Sequence, residues 1–220
     1  MLATEIINNN IPRLKLQDTA AKALQLLQDY KATHLPVVAD ETYLGLISEE
    51  DLLDTENTSI TLQALQHCFR PVAVKENEHF LNAVNISNAA ETSIIPVVTE
   101  QREFVGSITA SDLMRTLGAF AGANEIGGII VMEIERNQFS ISEISRIVES
   151  NNATILHLNT TVQPETGLLT ITLHLSKKEI ASIVDAFERY EYDVIYFFGD
   201  EKFENEIHSN YRHLMNYLGI

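Results

Sequence analysis

The sequence predicts an α+β protein of two dissimilar parts: a tandem pair of small helix–strand–strand–helix repeats, then a βαββαβ unit and a C-terminal helix. Three observations carry this reading. One motif string occurs twice in the first 115 residues at a spacing near 60, a glycine-punctuated stretch follows at 118–128, and beyond it the apolar period alternates between that of a strand and that of a helix.

In the first copy, apolar residues at helical spacing run from Ala20 to Leu27 and lead into His34-Leu35-Pro36-Val37-Val38. Then comes Leu44-Gly45-Leu46-Ile47, followed by Ser48-Glu49-Glu50-Asp51-Leu52-Leu53. The second copy has Phe80 to Ile86, Ile94-Ile95-Pro96-Val97-Val98, Val105-Gly106-Ser107-Ile108 and Thr109-Ala110-Ser111-Asp112-Leu113-Met114. Pro36 and Pro96 are 60 apart, whereas Gly45 and Gly106, like Asp51 and Asp112, are 61 apart. One residue is therefore inserted in the turn between the strands, where length changes are tolerated. The β-branched runs flanking that polar turn predict a hairpin in each copy, covered by helices on one face. A 60-residue unit alone buries little apolar surface, so the copies are expected to pack together about a pseudo-twofold axis with a ligand cleft between them.

The stretch Gly118 to Gly128 is the expected boundary. Beyond it the sequence predicts a strand from Ile129 to Ile134, a helix from Ser142 to Ser150 and a strand pair, Thr154 to Thr161 with Leu169 to Leu175. A helix from Lys178 to Tyr190 and a strand from Val194 to Phe198 complete the unit. Ser140 or Ser142 is expected to cap the first helix and Ser176 the second. The order βαββαβ is the ferredoxin-like, split βαβ arrangement. A symmetric turn at Pro164-Glu165-Thr166-Gly167 pairs Leu156 with Leu175, Leu158 with Leu173 and Thr160 with Ile171, while His157 opposes His174 on the polar face. Ile207, Tyr211, Leu214, Met215 and Leu218 mark an amphipathic helix in the tail.

The domain limits expected are a repeat pair at 1–117 (copies about 1–57 and 58–117), a linker at 118–127, the βαββαβ domain at 128–200 and the helical tail at 201–220. A 45% hydrophobic chain of 220 residues has material for these cores. Its net charge of −16, spread evenly along its length, argues against nucleic-acid and anionic-membrane partners. The longest apolar runs are strand-sized and the N-terminus lacks a signal-peptide pattern. A single cysteine, Cys68, allows no internal disulfide, and the location expected is cytoplasmic.

Each copy ends in a hydroxyl three residues before an aspartate, Ser48-x-x-Asp51 and Thr109-x-x-Asp112. Taken alone this is a helix capping box. With the repeated Pro-Val-Val and glycine ahead of it, the pattern over roughly residues 1–117 resembles a tandem cystathionine-β-synthase (CBS) domain pair, the Bateman module that binds adenosine-containing ligands. The resemblance implies that Asp51 and Asp112 hold the ribose hydroxyls and that Ser48, Thr109 and His34 contact phosphate. A carboxylate suits a cis-diol, and a helix N-terminus suits an anion. Arg13, Lys15, Arg70 and Lys75 are further candidates for the cleft, with solvated surface charge as their alternative. Glu49 and Glu50 inside the first motif oppose a triphosphate.

Residues 128–200 resemble an ACT domain, although the loop Glu135-Arg136-Asn137-Gln138-Phe139 lacks the glycine common in amino-acid-binding members, which favours a dimerisation role. The combination is similar to acetoin-utilisation-type CBS-ACT proteins. His157 and His174 offer two ligands where a metal needs three or four, and no nucleophile with its base is evident, so neither a metal nor a catalytic site is expected. The function expected is non-enzymatic sensing of AMP, ADP, ATP or S-adenosylmethionine, without a required cofactor, by a homodimer that acts on an unidentified protein target. The alternative is a ligand-free structural or oligomerisation module.

Overall fold

The computed structural model describes residues 1–200; the helix expected at 201–220 lies outside the described residues. Contacts divide the chain into two compact units, with the break between Leu117 and Gly118.

The first unit opens with a short 3-10 turn, Ala3–Ile6, and helix α1, Ala20–Tyr30, which Thr19 caps by accepting the Lys22 N–H. Strands β1 (His34–Ala39) and β2 (Thr42–Ser48) form an antiparallel hairpin that leads into the five-residue helix α2, Glu49–Leu53. A 3-10 segment, Leu62–Cys68, leads to the second copy: β3 (Val74–Lys75), α3 (Phe80–Ala90), β4 (Ile94–Val98), β5 (Phe104–Thr109) and α4 (Ala110–Phe120).

The copies agree in detail. Both hairpins shift register beside the motif glycine, at Val37/Val38 and Val97/Val98, where the residue just before the glycine, Leu44 or Val105, is left unpaired. Both prolines sit where a missing N–H costs nothing. Pro36 opposes Leu46, whose backbone bonds Arg70 instead, and Pro96 opposes Ser107, whose carbonyl accepts from Asn8. Lys31 and Glu91, 60 residues apart, both end their helices in the left-handed region at φ 50°. Across the pseudo-twofold axis the Tyr43 N–H donates to the Arg102 carbonyl, and its image, the Phe104 N–H, donates to Glu41.

The lead-in segments cross over. Ala3, Ile6 and Ile7 pack in the core of the second copy, whereas Leu62, Leu65 and Phe69 pack in that of the first. Asn8 bridges β5 and Arg70 bridges β2, so each hairpin gains an edge partner from the segment preceding the other copy. Gly45 and Gly106 make the crossings possible. A Cβ on Gly45 would stand 2.8 Å from the Phe69 Cβ, and one on Gly106 would overlap Ile7.

The second unit holds β6 (Gly128–Ile134), α5 (Ile141–Ser150), β7 (Ile155–Val162), β8 (Leu169–Leu175), α6 (Ala181–Arg189) and β9 (Asp193–Phe198). Its four-stranded sheet runs β7-β8-β6-β9 with every pairing antiparallel, the ferredoxin-like order. Ile130 and Met132 of β6 and Ile171 and Leu173 of β8 meet Ile144, Val148, Ile183 and Phe187 of the helices in one core.

Two expectations are corrected here. His157 opposes His174 and Leu158 opposes Leu173, but a bulge at Leu156 brings Ile155, not Leu156, opposite Leu175, and Leu156 is 39% exposed. Ser140 caps α5, whereas α6 starts at Ala181 behind Ile180, which makes no side-chain cap. The Ser176 hydroxyl accepts the Thr154 N–H instead, tying β7 to the residue after β8.

Candidate functional site

Both Ser/Thr-x-x-Asp motifs fold at the end of their hairpin, where the chain leaves a strand and enters a helix. Ser48 caps α2: its hydroxyl accepts the Asp51 N–H at 3.0 Å and donates to Asp51 Oδ2 at 2.5 Å. Thr109 repeats both bonds with Asp112, again at 3.0 and 2.5 Å. Each cap puts one of its two members on a cleft wall, Ser48 in the first copy and Asp112 in the second, whereas Asp51 and Thr109 are bonded to those residues without lining the clefts themselves.

The first cleft encloses about 460 Å³ and brings together Ser48, His34 and Arg70, along with Thr33, Glu49, Glu50 and the end of α3 up to Glu91. Arg70 arrives there because the crossing segment is hydrogen-bonded to Leu46 of β2. Thr33 links the copies, its hydroxyl 2.9 Å from His34 Nδ1 and 3.2 Å from the Ser93 hydroxyl. His34 is buried on this wall. Burial holds its pKa below the usual histidine range, the nearby Arg70 adds to this and Asp51 opposes it only in part, so the imidazole is neutral at neutral pH.

The second cleft, of about 580 Å³, lies along Glu5 to Asn10, Asp112, Arg115 and Thr116. Asp112 is 6% exposed and heavily engaged: Oδ2 accepts from Thr109 N–H and hydroxyl and from Asn8 Nδ2, while the Arg115 guanidinium pairs with Oδ1. Burial alone raises the Asp112 pKa, but these donors outweigh it and hold the carboxyl below the usual aspartate range. Among the described residues, Asp51 is hydrogen-bonded only to Ser48.

Three of the basic candidates line neither cleft. Arg13 and Lys15 are exposed, the Lys15 N–H donating to Asp18, and Lys75 is exposed in an ion pair with Glu100 at 2.6 Å. Asn8 and Arg115 were not singled out in the sequence. Asn8 stands in the lead-in to the first copy much as Arg70 stands in the lead-in to the second, which is the one signal that pointed to it. Ser107 carries a further unanticipated feature: its hydroxyl is buried without a hydrogen-bond partner. Among the described residues no group of three or more His, Cys, Asp or Glu side chains is placed to hold a metal, and no helix is long and apolar enough to cross a membrane.

Residues 3–57 and 68–119 match the family model of the CBS domain. The inosine-5'-monophosphate dehydrogenase of Korarchaeum cryptofilum is 25% identical over 130 residues, 59% of this chain and 27% of that protein. The chain spans about a quarter of the length of the curated relatives it matches. Of the solved structures, a CBS domain pair/ACT domain protein from Thermotoga maritima superposes with a TM-score of 0.50 at 18% identity, covering 55% of this chain and 98% of that one. An acetoin utilization protein from Vibrio cholerae gives a TM-score of 0.47 at 17% identity, with 56% and 95% covered. Two copies of one hairpin, crossed at their lead-ins and each closed by a Ser/Thr-x-x-Asp cap, coincide with the family match, and the chain carries a tandem pair of CBS domains.

Proposed function

We propose that this protein is a non-enzymatic regulatory sensor whose CBS pair binds an adenosine-containing ligand, AMP, ADP, ATP or S-adenosylmethionine, and that binding shifts the arrangement of domains or subunits. The observation that carries the reading is that each capping pair puts one member on a cleft wall, Ser48 in the first copy and Asp112 in the second, with its bonded partner next to it. A ribose cis-diol has two O–H donors, and a carboxylate held by backbone and hydroxyl bonds is their natural acceptor. Such a ligand shifts an arrangement only by binding it more tightly than the alternative.

The test is calorimetry with the four ligands on the wild type and on the Asp51→Ala, Asp112→Ala double variant. Binding in the wild type and its loss in the variant are expected; no binding, or unchanged affinity, defeats the assignment. A second reading, an empty structural module, is favoured by one observation: both motifs already close on themselves as capping boxes. It predicts that the double variant lowers the melting temperature while no ligand response exists to be lost.

In this reading the sensor is residues 1–117, and residues 118–127 link it to an ACT-like domain at 128–200. The ferredoxin-like strand order supports the ACT-like assignment, and the glycine-free loop 135–139 supports pairing of subunits over amino-acid binding. The protein then works as a cytoplasmic homodimer on a protein target. Light scattering that returns a monomer at micromolar concentration counts against it.

A further inference from the structure

Between helices α5 and α6 of the second unit lies a hollow of about 250 Å³ that shares no lining residue with either cleft. Helical spacing builds its walls. Arg146 and Ser150 stand four residues apart on α5, while Ala186, Arg189 and Tyr190 recur at three and four along α6 and the residue that ends it. The floor is Ile147 and Ala186, both buried. Ala186 has no side chain long enough to fill the space, and its neighbour Phe187 turns into the core instead.

The charge of the lining has one sign: two guanidiniums and no carboxylate, in a chain with 31 acids against 15 Lys and Arg. Neither guanidinium is consumed by the fold. Arg146 lies over the Tyr190 ring, 5.5 Å from its centroid, and stands 3.6 Å from Glu143, which also accepts the Tyr192 hydroxyl at 3.2 Å. Among the described residues Arg189 enters no ion pair. Its place in the last turn of α6 complements the helix dipole, which occupies none of its N–H donors. The carbonyls of that turn, which would repel an anion, already accept the Tyr190 N–H.

We propose that this hollow binds a small carboxylate on a flat apolar body, an aryl carboxylate being the simplest case. A carboxylate matches the forked donors of a guanidinium, and the Tyr190 ring with the Ile147 and Ala186 floor matches a flat apolar body. The volume falls below the roughly 300 Å³ at which drug-sized sites begin, too little to enclose a nucleotide. Because Glu143 shares Arg146, the net charge suits a monoanion better than a phosphate dianion. The site stands apart from the adenosine reading, since its readout lies wholly in the second unit.

The test is an NMR titration of the full-length, ¹⁵N-labelled protein with benzoate, with its uncharged counterpart benzamide and with inorganic phosphate. Benzoate is expected to give saturable shifts at the amides of Ile147, Ser150 and Ala186, and the other two to bind at least tenfold more weakly. Arg189→Gln is expected to weaken benzoate about tenfold, the loss of one charge-assisted hydrogen bond, and Arg189→Lys less, because it keeps the charge without the fork. Tyr190→Leu weakens it severalfold. Thermal melts check that these exposed-site variants remain folded. No saturable shift at these amides, benzamide binding as tightly as benzoate, or an Arg189→Gln variant of unchanged affinity overturns the site. Phosphate binding there as tightly as benzoate overturns the aryl carboxylate assignment.

Discussion

Ser107 and Leu46 occupy equivalent positions of the two copies, opposite Pro96 and Pro36, and both are buried. Leu46 is apolar there, whereas the Ser107 hydroxyl has no partner. A buried hydroxyl without a bond costs about 1 kcal/mol or more, so Ser107→Ala is expected to stabilise the protein by about 1 kcal/mol in urea unfolding. A destabilised variant would show that the hydroxyl is satisfied in solution. His34 makes a separate prediction, in pH. Its pKa in the folded state lies below the ordinary histidine value of 6.5, so the unfolded chain takes up the proton first as pH falls. Stability therefore drops from about pH 7 down through the window between the two values and is unaffected above it. Asp112 acts in the same direction but in a lower window: its folded pKa lies below 3.8, so its contribution is complete above that value and is lost as pH falls through the folded pKa. Comparing His34→Gln with wild type between pH 5 and 7 isolates the histidine, and identical slopes would refute its assignment.

At the scale of elements, the cap positions are tested by a pair of serines. Ser140 holds the Glu143 N–H at the start of α5, whereas Ser176 holds the Thr154 N–H at a sheet edge where both residues are exposed. Ser140→Ala is expected to cost about 1 kcal/mol, as loss of an N-cap does, and Ser176→Ala under half of that because water replaces the bond. Equal losses would reverse the assignment of the cap. The hairpins and their Ser/Thr-x-x-Asp caps were legible in the sequence because local chemistry specifies them: Pro-Val-Val, a motif glycine and a capping hydroxyl are read within a dozen residues. The β7–β8 register was legible from Asn159–Thr172 through His157–His174 for the same reason, an alternating pattern around one turn. Leu156 was not, because a bulge adds a residue without changing composition. Arg70 reached the first cleft and Lys75 did not, although both were candidates for it. Arg70 is carried there by its backbone pairing with Leu46, a contact between segments 24 residues apart that no local signal encodes. The neutral His34 was equally hidden, since its burial and its distance from Arg70 are tertiary facts.

The first unit as a whole is one folding unit built from two incomplete ones. Each copy's core contains the other's lead-in, so neither sequence repeat holds a finished core. Glycine is the device at both crossings, but the obstacles differ. A Cβ on Gly106 meets a side chain, Ile7, whereas one on Gly45 meets the Phe69 Cβ and, at 3.0 Å, the Arg70 carbonyl oxygen. Gly106→Ala is therefore expected to destabilise by about 1–3 kcal/mol through overpacking. Ile7→Ala alone costs a cavity, and the two together should lose clearly less than their sum, a coupling that only contact across the copies produces. At Gly45 no partner truncation removes the clash with backbone, so Gly45→Ala combined with Phe69→Ala should remain near additive. The cycle is read by urea unfolding of the four Gly106/Ile7 variants and the four Gly45/Phe69 variants. Additivity at Gly106 would mean that Met1 to Ile7 does not lie on the second copy, and the crossed architecture that positions Asn8 and Arg70 would fall with it.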